Sequence, residues 1–338
     1  MLRWHFILSI INQICSAKLF AEHIFCIFSL KSVEISVGEW YNNFMSKLCK
    51  IFPKKLLKFL AIIVAAVIFL GVSVAVSNTV ISESHYVIEN SKIPVEFSGY
   101  KMLLITDFHS VSFGVDNSRL LRKINEISPD IILLGGDMVN SVNDDGEVFL
   151  SFCEQISDKY QTFYVLGNHE LIQGEEYYHS LENKLENIGV TCLNNKSTTL
   201  KKGNSEISLY GLWFNLRYYQ SVKAEEKYDF EVSSAETLLG KPSDNFNLLL
   251  THSPTYFNTY CEWGADLTLC GHMHGGMIRI PFLGGVFSPE KDFFPEYDAG
   301  LFEKDGKQMI VSRGLGNGHV GFRVFNPPEI VTIELKSN

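Results

Sequence analysis

The side chains of this 338-residue chain that can do chemistry are concentrated in five short polar clusters. Five of the ten histidines fall in these clusters, together with two aspartates and an asparagine. Imidazole, carboxylate and amide groups bind divalent metals, and a histidine-rich set without thiolates favours Mn, Fe or Zn over Mg. In chain order the clusters are Asp107-Phe108-His109, Gly136-Asp137, Gly167-Asn168-His169-Glu170, His252 and His272-Met273-His274.

The spacing inside two of the clusters fits a shared metal ion. Asp107 and His109 stand two residues apart, and so do His272 and His274. In an extended chain such residues project to the same side, so both members of a pair can reach one ion. Each motif alone is common by chance, but the five occur together in the same local setting. The sequence therefore predicts one metal-dependent catalytic centre.

Each cluster follows a short apolar run, which predicts a buried strand. The runs lack polar alternation, as expected for strands that are buried on both faces. Stretches 118–128 and 177–189 predict helices between them, and this order indicates an α/β fold, whose ligand site lies beyond the carboxyl ends of the strands. The five runs are 101–106, 131–136, 162–167, 247–251 and 265–271; further strands are predicted at 207–211, 309–312 and 330–335, and a loop-like aromatic insertion at 213–245.

The order of the clusters, DxH, GD, GNHE, H and GHxH, resembles the calcineurin-like metallophosphoesterase superfamily over residues 98 to 335. Segments 312–316 and 323–330, with Gly275-Gly276, look like its membrane-anchored branch of the YkuE and YaeI type. The resemblance implies an α/β fold, a four-layer α-β-β-α sandwich with two mixed sheets. Met273, Met277 and Gly318-His319 depart from the usual pattern; none is a ligand, so they bear on substrate preference.

Carried over residue by residue, the resemblance implies two divalent metal ions that share one carboxylate. His169, beside the ligand Asn168, would protonate or stabilise the leaving oxygen. The two cations would hold a bridging hydroxide that attacks phosphorus in line. The first ion would be held by Asp107, His109, Asp137 and His274, and the second by Asp137, Asn168, His252 and His272.

Several residues outside this set have both a functional and an ordinary structural explanation. Glu170 either orients His169 or begins the next helix. For His319, a substrate contact and a solvated loop position are equally open. Two further candidates for substrate contact are Arg323 and Asn215. Three residues of the aromatic insertion could also contact the substrate, but an ordinary surface loop is the favoured explanation for them: Arg217, Tyr218 and Tyr219.

The run at 59–76 predicts a transmembrane helix, because eighteen uncharged residues, of which only Ser73 is polar, are just enough to cross a bilayer. Five lysines precede it within twelve residues, whereas Glu83 and Glu89 follow it before the next lysine. The positive-inside rule then places the N-terminus in the cytoplasm and residues from about 78 onward outside. A cleaved signal peptide is the alternative, but the length of the run and its weak cleavage site favour an uncleaved anchor.

The predicted organisation has four parts. Residues 1–58 form a basic cytoplasmic lead-in, 59–77 the anchor, 78–97 a linker and 98–338 the metallophosphoesterase domain. The lead-in has a net charge of +5, so the rest of the chain has −14 of the total of −9. Met45 opens a conventional basic lead-in, and one interpretation is that translation starts there and residues 1–44 are not part of the protein.

Composition excludes several other classes of protein. With 46% hydrophobic and 20% charged residues, the chain is a folded protein rather than a disordered one. The acidic balance disfavours nucleic acid as a partner. The seven cysteines form no CxxC pair, which predicts mostly buried free thiols and leaves open one bridge in the C-terminal part.

These observations predict a membrane-anchored phosphoesterase of the cell membrane, with its catalytic domain outside, that hydrolyses phosphodiester or pyrophosphate bonds. By analogy with the branch it resembles, a lipid-linked substrate such as UDP-2,3-diacylglucosamine is expected. The alternatives are a nucleotidase, a cell-wall phosphoesterase, or a non-catalytic scaffold with a vestigial site. The full set of expected ligands favours an enzyme over the scaffold.

Overall fold

The computed structural model describes residues 53–219, 228–280, 282–289, 293–318, 321 and 323–338. Most of the basic lead-in, including residues 1–44 and Met45, lies outside the described residues, as does His319. The chain divides into two compact units, Met1–Phe69 and Leu70–Asn338.

The apolar run near the N-terminus forms one continuous helix, α1 (Lys54–Thr79). Within Lys55–Thr79, the most apolar eighteen-residue window has a mean hydropathy of 3.0, and this helix is long and apolar enough to cross a membrane. In the first unit this helix exposes apolar side chains such as Phe59, Val67 and Phe69. A helix that is apolar all round needs a core or a lipid environment to cover it. The predicted apolar helix is therefore confirmed, whereas its crossing of a membrane stays a prediction.

The second unit contains alternating strands and helices. Single turns of 3-10 helix lie at Val95–Phe97, Val115–Asn117 and Leu216–Tyr218. In chain order the other elements are β1 (Ser82–Asn90), β2 (Lys101–Ile105), α2 (Ser118–Ile127), β3 (Ile131–Leu134), α3 (Glu147–Ser157), β4 (Gln161–Tyr164), α4 (Asn168–Ile172), α5 (Glu175–Asn187), β5 (Val190–Cys192), β6 (Lys196–Lys202), β7 (Ser205–Leu212), α6 (Val232–Leu239), β8 (Asn247–Thr251), α7 (Phe257–Trp263), β9 (Leu267–Cys270), β10 (Arg279–Ile280), β11 (Gly284–Gly285), β12 (Gly300–Lys304), β13 (Lys307–Val311) and β14 (Glu329–Ser337).

The strands form two six-stranded mixed sheets and a short hairpin, β10–β11. The first sheet has the order β1-β14-β2-β3-β4-β5, and the second has the order β12-β13-β9-β8-β7-β6. Strands β2, β3 and β4 are parallel neighbours in the first sheet, and β7, β8 and β9 are parallel neighbours in the second. Each sheet also contains antiparallel pairs. The carboxyl ends of the five predicted strands therefore lie at one edge of each sheet.

Successive side chains of a strand point to opposite faces of its sheet, so each sheet packs on both faces. Leu104 and Leu133 of the first sheet pack in one cluster with Leu248 and Leu269 of the second, which fills the space between the sheets. Side chains of the opposite face, such as Leu103, pack with the outer helices. This arrangement follows from the two-residue period of a strand buried on both faces. The predicted four-layer α-β-β-α sandwich with two mixed sheets is confirmed.

Two segments differ from the sequence prediction. The predicted linker 78–97 contains β1, whose residues pair in parallel with β14 along their whole length. The sequence of β1 is rich in Ser, Glu and His and did not predict a strand, because a strand at the edge of a sheet needs few apolar side chains. The predicted loop-like insertion 213–245 contains helix α6. The four described cysteines, Cys153, Cys192, Cys261 and Cys270, are free, and all but Cys261 are buried, as predicted.

Candidate metal centre

The seven predicted metal ligands and His169 lie together where the two sheets meet. Asp107, Asp137 and Asn168 follow β2, β3 and β4 of the first sheet, and His252 and His272 follow β8 and β9 of the second. The parallel direction of these strands brings their carboxyl ends to one edge, as the sequence indicated. Except for the half-buried Asn168, all eight residues are buried.

The first group of potential ligands consists of Asp107, His109 and His274, whose ligand atoms all lie within 4.8 Å of one another. The Nε2 atoms of His109 and His274 are 3.3 Å apart. The Nε2 atom of His274 is 3.4 Å from the Oδ1 atom of Asp107. A carboxylate and two imidazoles that converge in this way form a ligand set for a borderline divalent ion.

The second group consists of Asp137, His252 and His272, which satisfy the same distance criterion. The Nε2 atom of His252 lies 3.1 Å from the Oδ2 atom of Asp137. Asp137 also lies within 4.8 Å of His109 and His169, measured between ligand atoms. Asp137 therefore stands between the two groups, at the position expected of a shared carboxylate.

Asn168 and His169 border the second group from the start of α4. The Oδ1 atom of Asn168 is buried and has no hydrogen-bond partner among the described residues. Burying an unsatisfied carbonyl oxygen is costly, so this atom fits a metal-ligand position. The backbone N–H of His169 donates to Oδ1 of Asp137 at 2.7 Å, and its ring packs edge-on against His109 with centroids 4.5 Å apart. His169 is thus held within reach of a reacting group.

The backbone at the centre turns sharply after β2, β3 and β9. Asp107, His109, Asp137, His272 and His274 all have φ between 48° and 69°. Asp and His are among the residues that adopt this left-handed region more readily, but each such residue costs energy. The turns redirect the side chains from the strand faces toward the sheet edge. Gly167 permits this close approach, because a Cβ atom there would collide with the backbone and carboxylate of Asp137.

The buried ionisable groups of the centre shift one another's pKa values. Burial opposes ionisation of Asp137, but the neighbouring His252 and His169 outweigh it and hold the pKa of Asp137 well below its usual range. Burial acts against the charge of His252 too, yet Asp137 and Asp107 raise the pKa of His252 to about 9. Burial lowers the pKa of His109 to about 3, which keeps its imidazole neutral. Because a metal-bound imidazole must be unprotonated, a metal ion at His252 would compete with the proton that this raised pKa favours.

Metal removal is expected to destabilise the protein, because it leaves Asp107 and Asp137 buried at one site. A ligand at a hundredfold excess over its Kd contributes about 2.7 kcal/mol to the folded state. For a domain of this size, we expect Mn²⁺ to raise the Tm of the metal-stripped protein by about 5–10 °C. Thermal unfolding with and without added Mn²⁺, Fe²⁺ or Zn²⁺ measures this change. An unchanged Tm with all three ions would contradict the site.

Glu170 connects the two loops that present Asp137 and Asn168. Its fully buried carboxylate accepts from the backbone N–H groups of Asp137 at 3.0 Å and Met138 at 2.6 Å, and of Gly167 at 2.8 Å. Burial, reinforced by the charge of Asp137, raises the pKa of Glu170 to about 7. Its carboxylate therefore joins the two loops and caps the start of α4, which agrees with the second explanation of this residue, whereas a role in orienting His169 stays a prediction.

Glu170→Ala is expected to lower the free energy of unfolding by at least about 3 kcal/mol, because each orphaned buried N–H costs about 1–3 kcal/mol. Urea denaturation measures the loss. Glu175→Ala is the matched control, since Glu175 is exposed and pairs only with the exposed His179 in the described part of the chain. Equal stabilities of the two variants would refute this role of Glu170.

The other predicted contact residues are placed differently. Arg323 is completely buried and donates to the backbone carbonyl of Arg313 at 2.7 Å, with its Nη2 atom 3.3 Å from Nδ1 of His274. It therefore supports the His274 loop, and a contact of Arg323 with substrate stays a prediction. Asn215 is exposed and accepts from the backbone N–H of Arg217, so it shapes the local turn.

One aromatic residue of the insertion, Tyr219, lies beside His252 and His272. Tyr219 is buried, and its ring packs edge-on against His272 with centroids 5.4 Å apart. Arg217 is exposed and stacks over the rings of Tyr218 and Tyr228. Tyr219 thus packs against the candidate metal centre, whereas Arg217 lies at the surface.

One supporting residue has no role in the sequence prediction. The side-chain amide of the fully buried Asn326 donates to the carbonyl oxygens of His274 at 2.6 Å and Met277 at 3.2 Å. It thereby holds the loop that carries His274. The only signal in the sequence is a polar residue before the Pro327-Pro328 pair, which does not reveal a contact with a residue more than fifty positions earlier.

The chain is similar to several known proteins. The profile described as calcineurin-like phosphoesterase matches residues 100–276, a segment that contains all seven potential ligands and His169. Phosphodiesterase YaeI of Escherichia coli (strain K12) is 31% identical over 248 residues, which cover 70% of this chain and 82% of that protein. The uncharacterised metallophosphoesterase YkuE of Bacillus subtilis (strain 168) is 26% identical over 273 residues, with coverages of 76% and 86%. A transmembrane protein with metallophosphoesterase domain from Danio rerio is 24% identical over 255 residues, which cover 72% of this chain and 55% of that protein.

Proposed function

The chain belongs to the calcineurin-like phosphoesterase family and is a metal-dependent hydrolase of phosphate esters, and we propose that it is a membrane-anchored phosphodiesterase with a two-metal centre. The observation that carries the two-metal proposal is the position of Asp137 between the two ligand groups. A single-ion site would need only one of these groups. The diesterase preference is supported by the similarity to Phosphodiesterase YaeI.

In this proposal Asp107, His109, Asp137 and His274 hold one ion, and Asp137, Asn168, His252 and His272 hold the other. Bound divalent ions of this kind supply positive charge for the phosphoryl oxygens and lower the pKa of a bound water. The number of imidazoles favours Mn, Fe or Zn. Metal analysis of the purified protein tests both the stoichiometry and the identity, and a stoichiometry of one would contradict the proposal.

The protein's own groups position the reactants and move a proton. Asp137 is shared between the two ligand groups and accepts from the backbone N–H of His169, which fixes that residue beside the centre. The His169 imidazole is then placed to protonate or stabilise the leaving oxygen of the ester. Enclosure of these groups by Tyr219 and the buried loops lowers the local dielectric, which strengthens their interaction with a phosphate.

Hydrolysis of two model esters tests the diesterase proposal. We expect turnover of bis-p-nitrophenyl phosphate with Mn²⁺ to exceed turnover of the monoester p-nitrophenyl phosphate. A preference for the monoester would favour the nucleotidase alternative. Absence of turnover with either ester and any of Mn²⁺, Fe²⁺ or Zn²⁺ would contradict the proposed chemistry.

The anchoring proposal rests on α1 and on the charges around it. Membrane association is supported by its length and hydropathy. The lysines that precede the helix favour a cytoplasmic N-terminus and an external catalytic domain. Protease treatment of intact cells tests the orientation, because an external domain is degraded. A domain that is degraded only after cell lysis would reverse the topology.

Anchoring near a bilayer favours an amphiphilic, lipid-linked phosphate ester as the substrate. We propose this class, with UDP-2,3-diacylglucosamine as one example. The full-length protein is assayed with UDP-2,3-diacylglucosamine, a nucleotide pyrophosphate and a phosphodiester cell-wall polymer at equal phosphate concentration. A higher kcat/KM for the nucleotide or the polymer would overturn the lipid-linked assignment.

A further inference from the structure

The β10–β11 hairpin and the segment beside it expose a cluster of large apolar side chains. Phe282, at the tip, is fully exposed, and its φ of 70° is in the left-handed region. The segment at 293–294 is attached to the hairpin, since the N–H of Phe294 donates to the carbonyl of Val286. Scattered exposed apolar residues are normal, but a contiguous group marks an interaction surface. We call this group the apolar tip; it consists of Ile278, Ile280, Phe282, Leu283, Phe293 and Phe294.

The apolar tip is attached through one loop to the C-terminal end of α1. In the hairpin, the N–H of Arg279 donates to the carbonyl of Val324 at 3.1 Å. The residue after Val324 then contacts the helix, because the N–H of Phe325 donates to Oγ of Ser73 at 3.2 Å. The N–H of Asn326 donates to Oγ of Ser77 at 3.1 Å. The hairpin therefore bonds to Val324, and the next residue of the same loop, Phe325, bonds to α1.

These contacts define the depth at which the loop lies on α1. Ser73 falls inside the apolar run 59–76, and Ser77 follows its last residue. At 1.5 Å per residue, the run spans about 27 Å, close to the thickness of the hydrocarbon core. If α1 spans a bilayer as proposed, the loop at 323–326 sits at the outer boundary of the hydrocarbon. The hairpin bonded to this loop then lies in the interfacial layer.

We propose that the apolar tip inserts into the outer interfacial layer of the bilayer that α1 crosses. The occupant of this surface is lipid, since the cluster is joined to the end of a membrane-spanning helix. Phe and Leu side chains that face the headgroup and acyl boundary lose their contact with water. Because the same loop also bonds to His274 through Asn326 and Arg323, the insertion would hold the metal centre near the membrane surface. This inference rests on the proposed anchoring.

A tryptophan introduced at the tip tests the insertion in the full-length protein. Phe282→Trp is reconstituted in vesicles of phosphatidylcholine and phosphatidylglycerol, with or without phosphatidylcholine brominated in its upper acyl chain. We expect the brominated lipid to remove most of the emission that the introduced tryptophan adds. Leu283→Trp is a second reporter, for the case in which Phe282→Trp does not fold.

Val95→Trp is the matched control. Val95 is 71% exposed, but it lies near the opposite end of β14 from α1, where the N–H of Gly99 donates to Leu335. The nine residues of β14 separate the two ends by about 30 Å. The emission that the tryptophan of Val95→Trp adds is expected to be the same in vesicles with and without brominated lipid.

The outcomes separate the insertion from the proposals on which it rests. If the protein floats with the vesicles but neither reporter is quenched by the brominated lipid, the insertion is wrong and the anchoring stands. Quenching by aqueous acrylamide would then indicate a tip in water, and protection from it would indicate a tip covered by a second copy. A protein that does not float with the vesicles overturns the anchoring and the insertion together. Hydrolysis of bis-p-nitrophenyl phosphate in the same samples reports on the catalytic proposal independently.

Discussion

Asp137→Asn is expected to abolish hydrolysis, with a loss in kcat of at least about 10³-fold, because a metal-dependent centre contributes several kcal/mol to the transition state. Asp137 is the carboxylate that lies between both ligand groups, with Oδ2 3.1 Å from Nε2 of His252. An amide oxygen has no charge, so it cannot hold two cations together. The metal content is expected to fall below two ions per chain, measured by elemental analysis alongside the rate of ester hydrolysis.

Asp158→Asn is the matched control for this change. Asp158 is exposed at the end of α3, so the same substitution there is expected to leave rate and metal content unchanged. The Asp137→Asn variant also removes the carboxylate whose Oδ2 atom lies 3.1 Å from Nε2 of His252. If this variant retained two ions and a normal rate, Asp137 would not be the shared ligand and the two-metal proposal would be wrong.

His169→Ala is expected to lower kcat by about 10²–10⁴-fold, the usual contribution of general acid–base catalysis. Unlike Asp137, His169 is proposed to hold no metal, so the variant is expected to retain both ions. Its ring lies against His109, and its Nε2 atom is 3.9 Å from Oδ2 of Asp137. The measurements are kcat for bis-p-nitrophenyl phosphate and metal content on the same preparation.

The loss is expected to be larger for an ester whose leaving group is a poor one, because such a leaving group needs the proton more. His179→Ala is the matched control, since His179 is exposed on α5 and pairs with Glu175 and Glu182. A normal rate in the His169→Ala variant would exclude His169 as the acid. A variant that has lost metal as well would identify His169 as a ligand instead.

Much of the fold could be predicted because the sequence of each central strand is sufficient to identify it as a strand. The runs before Asp107, Asp137, Asn168, His252 and His272 are strands that end just before these residues. A strand that is buried on both faces must be continuously apolar, so its sequence is distinctive. Edge strands such as β1 and β6 have exposed polar side chains, so the hydrophobic pattern that would identify them as strands is weak.

The supporting residues of the centre could not be predicted in the same way. Glu170, Arg323 and Asn326 act through hydrogen bonds to residues about 30 to 50 positions away along the chain. Sequence patterns report whether a residue is buried, but they do not identify its distant partner. Arg323 is an example, because an arginine is expected at the surface and this one is completely enclosed.

The sequence by itself determined the side chains of the candidate centre: five histidines, two aspartates and an asparagine, each predicted near the end of a strand by the local hydrophobic pattern. It also determined that an apolar helix precedes the domain. Only the tertiary structure decided which groups converge, because the edges of two separate sheets must pack together before Asp137 can lie between His109 and His252. It likewise decided that the end of α1 is bonded to the loop that supports His274 and the apolar tip. Such contacts join residues more than 50 or 200 positions apart, and they depend on packing rather than on any local pattern.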